Sequence, residues 1–350
     1  KFIMAYSVIN KSSEHFNTLA YTGTGVNPTT FTGVGFQPDF CWFKARNFAD
    51  PHQLYDSVRG VHKYVRSNEN SAEGDDDGSL QAFTSDGFTL GNSGNVNGGS
   101  SQNLVAWNWK AGGGQGSSNT DGSINTTYTS VNTTAGFSIS KYSGNTTAGA
   151  TIGHGLGVVP KMVMIKNLTS NENWVVYHAS LGATKHLRLN GTDAQATQAG
   201  QFNNTEPTSS LISLGDFGSV NESPGTYIAY CFADVQGYSK FGSYVGNGST
   251  DGTFVYTGFK PAWIMIKRTD GADTWTIYDN KRTGFNVDNN PLFANATTAE
   301  STDDDLDILS NGFKIRRNSG RINTSGANQI YMAFAEAPLV GTNNVPCTAR

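Results

Sequence analysis

His154-Gly-Leu-Gly-Val-Val-Pro160-Lys-Met-Val-Met-Ile-Lys166 is one of three versions of the same sentence in this chain. The others are Thr32-Gly-Val-Gly-Phe-Gln-Pro38-Asp-Phe-Cys-Trp-Phe-Lys44 and Tyr256-Thr-Gly-Phe-Lys-Pro261-Ala-Trp-Ile-Met-Ile-Lys267. In each, a lysine follows the proline by six residues and a tyrosine by seventeen, the tyrosines being Tyr55, Tyr177 and Tyr278. Met162–Ile165 and Ile264–Ile266 are short, unbroken apolar runs, which predicts strands buried on both faces. The proline ahead of each run suits the start of a strand, where a missing N–H costs little.

Working outward, each copy begins on a Tyr-Gly turn (Tyr21, Tyr142, Tyr244) and closes on an apolar strand: Leu104–Trp109, Tyr227–Ala233 and Ile330–Ala335. The prolines are 122 and 101 residues apart. Solenoid repeats of about 20–50 residues cannot bury a core alone, whereas about 100 residues is the size of one β-sandwich. The expectation is an all-β chain of three tandem antiparallel β-sandwich domains, jelly-roll or concanavalin-like, over 1–113, 114–237 and 238–350. Gly112–Ser118 reads as a flexible linker. Val235–Lys240 leaves almost no spacer, so that junction is expected to be stiffer.

Composition agrees. There are 41 glycines, 20 phenylalanines and 14 tyrosines, and only 15% of residues are charged. This suits short strands joined by turns rather than long helices. A net charge of −4 gives no basic face for nucleic acid. No apolar run approaches the roughly 20 residues of a membrane helix, so no membrane insertion is expected. Cys41, Cys231 and Cys347 match no zinc spacing and read as free thiols, the first two buried.

The search for chemistry predicts no enzyme. The six histidines are scattered, with no His-Glu-x-x-His, no nucleophile elbow and no phosphate loop. His178 stands where the other copies have Asp56 and Asp279, and only those two copies carry the matching Arg59 and Arg282. Each Asp–Arg pair reads as a local salt bridge bracing a turn. Asp75, Asp76 and Asp77, and Asp303, Asp304 and Asp305, cluster oxygen ligands that calcium could use, against the plainer reading of solvated loops. No other cofactor is expected. Trp42, Trp174, Trp263 and Trp275 are candidates for a sugar platform, although most sit at core-like strand positions. The long polar loops 191–206 and 286–302, with Asn190 just ahead of the first, offer Asn190, Asn203, Asn204, Asn286, Asn289 and Asn290 as binding residues.

The opening Met4–Lys11, together with Phe36–Lys44, Tyr55–Gly60, Ser85–Phe88, Gly149–Gly157 and Asn343–Arg350, resembles tail proteins of marine phages that carry a repeated domain of uncharacterised function. The resemblance implies a virion-surface component of tail-fibre or adhesin type, assembled in the host cytoplasm and commonly homotrimeric. Its partners would be a host surface glycan or protein and other virion proteins. It carries over no catalytic residue. A capsid decoration, a tail spacer or a bacterial extracellular filament protein are the alternatives.

Overall fold

The computed structural model describes residues 7–282, 286, 290–340 and 346–347. The chain is all-β, built from several antiparallel sheets, and its α-helical turns span only four residues each, at Gly94–Asn97, Ala199–Phe202 and Gly320–Asn323.

Each copy of the repeated sentence forms a large sheet with the same core order. Its first strand pairs with the closing strand, which pairs with the proline strand, which pairs with the tyrosine strand. In the first segment these are Phe16–Thr22, Asn103–Trp109, Phe40–Ala45 and Gln53–Asp56. In the second they are Phe137–Ser143, Thr226–Phe232, Met162–Asn167 and Val175–His178. In the third they are Ser239–Val245, Asn328–Pro338, Phe259–Arg268 and Trp275–Asp279. A smaller sheet accompanies each: Thr29–Thr32 with Gly87–Leu90 and Leu80–Thr84, Thr151–Gly153 with Leu211–Ser213, and Phe254–Tyr256 with Gly312–Ile315 and Leu306–Leu309.

The proline strands are buried on both faces, as their apolar runs predict, and the two faces do different work. Val163 and Ile165 join a core private to the second segment, Ile264 and Ile266 one private to the third, and Cys41 and Phe43 one private to the first. The alternate residues Phe40, Trp42, Met162, Met164, Trp263 and Met265 all enter a single fourth core shared by the three segments. There the large sheets meet pairwise. Phe40 lies 4.5 Å from Tyr230, Trp109 lies 5.5 Å from Trp263, and Phe232 lies 6.0 Å from Phe334, ring centre to ring centre. All six tryptophans are at most 1% exposed. The four weighed as a sugar platform are therefore core residues, because aromatic rings supply the large apolar area that a three-way junction needs.

The backbone repeats this closure. Glu73 N–H donates to the Leu168 carbonyl (3.0 Å), Gln195 N–H to Thr269 (2.8 Å) and Glu300 N–H to Arg46 (2.7 Å). The three bonds join equivalent positions and run from first segment to second, second to third and third to first.

The Gly112–Ser118 stretch is not a flexible linker. Asp39 accepts from the backbone N–H groups of Ala111, Gly113 and Gly114 at 2.7–2.9 Å, and Ser130 Oγ accepts from Gly112. Glycine here lets the chain turn through positive φ at 113, 114 and 116 while its N–H groups converge on one carboxylate.

Candidate functional site

The tyrosine strands carry the titratable residues that a sequence reading singles out, and the structure places them where segments meet. Asp56 and Asp279 are at most 2% exposed. Asp56 Oδ2 accepts from Arg59 Nε at 2.5 Å and from the Tyr230 hydroxyl of the second segment at 2.7 Å. Asp279 Oδ2 accepts from Arg282 Nε at 2.6 Å and from Trp107 Nε1 of the first segment at 2.8 Å. Each guanidinium reaches a further carboxylate, Glu73 at 3.3 Å and Glu300 at 3.2 Å. Each pair is the local, i to i+3, salt bridge read from the sequence, with the Asp Oδ1 also accepting from the Arg backbone N–H, but it is buried at an inter-segment seam as part of an ion triad. Burial raises the Asp279 pKa, but Arg282 and Trp107 outweigh it and hold the carboxyl below its ordinary value.

The second segment departs from this pattern for a physical reason. Tyr230 and Trp107 have Met332 as their counterpart in the third segment, at the same closing-strand register. Methionine donates no hydrogen bond, so a carboxylate opposite it would be buried without its donor. His178 stands there instead, with Leu181 in place of the arginine and Gln195 in place of the glutamate. Its Nδ1 accepts from Ser180 N–H at 3.1 Å, and its Nε2 reaches the Tyr331 carbonyl at 3.3 Å. Burial pushes its pKa down to about 4.

His52 and His154 are used the same way. His52 accepts from Trp42 Nε1 (2.8 Å) and faces the Phe293 carbonyl (2.9 Å), while His154 accepts from Leu156 N–H and faces the Thr208 carbonyl. With both ring nitrogens engaged, each ring is held neutral. Lys44, Lys166 and Lys267 are fully buried and their Nζ atoms donate to backbone carbonyls. Lys166 bonds Asn70 of the first segment, and Lys267 bonds Thr192 of the second. Burial lowers each to about 8, and none forms an ion pair among the described residues.

The acidic loops are met by cations and turns. Asp75 pairs with Lys63, and Asp76 accepts from Gly78 N–H and Ser93 Oγ, while Asp77 is exposed. Asp303 and Asp305 face Arg317 and Arg321, Asp305 also accepts from the Tyr278 hydroxyl, and Asp304 is exposed. Among the described residues no three His, Cys, Asp or Glu side chains group as metal ligands.

Of the loop asparagines, Asn190 accepts from Trp174 N–H and donates to Asn173. Asn286 pairs with both backbone groups of Ile308, and Asn290 donates to Glu300. Asn203 and Asn204 turn the chain at φ 50 after a helical turn. Asn289 lies outside the described residues.

Residues 11–338 match a domain of unknown function, DUF7483, as one unit spanning all three copies. The chain belongs to the DUF7483 family. No curated protein and no solved structure matches it. Among the described residues, the surface of this DUF7483 chain carries several clefts of ligand size. One, of about 520 Å³, runs past Asp234, Lys240 and Tyr256, where Asp234 and Lys240 pair with each other at 2.9 Å. Another, of about 240 Å³, gathers Glu172, His186, Arg188, Gln198, Gln201 and Phe217 from four stretches of the second segment. Nothing in their sequence spacing announces this grouping, because only the folded loops bring them together.

Proposed function

We propose that this DUF7483 chain is a non-catalytic surface-binding protein of the phage tail-fibre or adhesin type. In this reading it is three copies of one sandwich unit closed into a ring, with loops that contact a host glycan or protein. The observation that carries the reading is the shared core with its cyclic backbone bonds. It makes one rigid body of the three segments and leaves the loops as the variable part. His52, His178, Lys166, Lys267 and the two ion triads support a non-catalytic role, since each is engaged across a seam between segments.

Binding of labelled full-length protein to intact host cells and to a glycan array tests the proposal. Saturable binding is expected; cleavage of a surface polysaccharide would overturn it. The internal use of Asn190, Asn286 and Asn290 favours a second reading, a purely structural virion part such as a spacer or capsid decoration. Failure to bind any host surface, with the protein localised to virions by microscopy, would select that one.

A further inference from the structure

The cleft of the second segment combines features that a passive surface dent lacks. His186 is 4% exposed, and its Nδ1 has no partner among the described residues. Burial and the neighbouring Arg188 hold its pKa below the ordinary value, and its other nitrogen bonds the Ala196 backbone, so the ring is neutral and Nδ1 is left as an acceptor. Gln201, itself 7% exposed, has its Oε1 fixed by the Ser219 hydroxyl at 2.9 Å, which leaves the amide nitrogen as its donor end. Glu172 and Arg188 supply one charge of each sign, and Gln198 adds a second amide. Phe217 is 40% exposed, a large ring left open to water on this cleft. It lies on Gly200, where a Cβ would come within 2.2 Å of the ring. A side chain at 200 would displace the ring, so its position is built into the backbone.

From this arrangement we infer that the second segment holds a binding site for a single neutral saccharide residue of a glycan. The volume of about 240 Å³ fits one pyranose ring rather than a larger ligand. The aromatic ring offers a face to the C–H side of a sugar. The carboxylate, guanidinium, amides and imidazole offer directional bonds to its hydroxyls, and their opposite charges favour a neutral ligand. Among the described residues the site occurs once in the three copies. Tyr64 takes the position of His186 in the first segment, with Arg66 over its ring at 5.2 Å, and Pro291 takes it in the third. The internal repeat therefore does not multiply this site.

The inference rests on the surface-binding reading, and the two can fail separately. The test uses the full chain and the methyl glycosides of glucose, galactose, mannose and N-acetylglucosamine, with methyl glucuronide as a charged control. Saturation-transfer NMR detects binding and calorimetry measures it. At least one glycoside should bind, and Glu172→Gln and Phe217→Ala should each weaken it about tenfold, the worth of one good contact. Gln198→Trp, on the rim, should block the cleft while the melting temperature stays unchanged. Absence of binding by all four sugars would overturn the site, as would binding that survives all three substitutions. So would binding confined to methyl glucuronide and abolished by salt, which would be a simple charge contact with Arg188. Cell or array adhesion that persists undiminished in the three variants would retain the surface-binding reading while removing this site from it.

Discussion

His178 differs from Asp56 and Asp279 because of what faces it across the seam. A carboxylate stands where the neighbouring segment supplies Tyr230 or Trp107 as a donor, and an imidazole, bonded to the Tyr331 carbonyl, where the residue at the equivalent register is Met332. Replacing His178 by Asp should therefore destabilise the protein by about 2–4 kcal/mol, since the new charge is buried without a partner. Adding Leu181→Arg should recover part of that loss, a coupling that a double-mutant cycle in urea would read. Asp279→Ala leaves Arg282 buried and half-paired and should cost about 3–5 kcal/mol in the same measurement. The histidines also set a pH dependence. In the fold His178 stays neutral down to about pH 4, and His52 is likewise held well below its ordinary value, whereas the unfolded chain protonates them near 6.5. Between those pH values the unfolded state binds more protons, so stability falls as the solution is acidified, by roughly 3 kcal/mol for His178 alone at the lower limit. A melting temperature that holds steady from pH 6.5 to 4 would contradict this.

At the scale of elements, the tyrosine strands are locked to their neighbours by one repeated device. Trp174 Nε1 donates to the Arg66 carbonyl and Trp275 Nε1 to the Arg188 carbonyl, both at 2.8 Å, while His52 at the same strand position faces the Phe293 carbonyl. The rings thus join second segment to first, third to second and first to third. Trp275→Phe keeps most of the apolar area and removes the donor, leaving a part-buried carbonyl unpaired. The expected loss is about 1–3 kcal/mol by chemical denaturation. The repeat was legible at this level, because a double-faced apolar strand leaves its mark as a continuous run. What the far face of that strand met was not legible, since Met162 and Val163 look alike in sequence but belong to different cores.

For the whole molecule, a shared core implies shared stability. Each large sheet presents Trp and Phe to its counterparts, joined by Met in the second and third, and no segment can cover that face alone. Calorimetry of the intact chain should show one cooperative transition rather than three. The piece 114–237 expressed alone should aggregate or bind a hydrophobic dye, because Phe137, Trp174, Tyr230 and Phe232 would be exposed. Three independent transitions, or a well-behaved monomeric fragment, would show that the central core contributes little.

Sequence alone determined the β class, the threefold repetition, the double-faced burial of the proline strands and the positions that vary between copies. These follow from composition and spacing, which act within a few residues of one another. Tertiary structure alone decided that the copies share a core, that the Asp–Arg pairs are buried at seams, that Asn190 braces Trp174, and that His186 and Phe217 line one cleft. Those facts depend on which surfaces meet across a hundred residues or more. A side chain's partner on another segment leaves no periodic trace in its own.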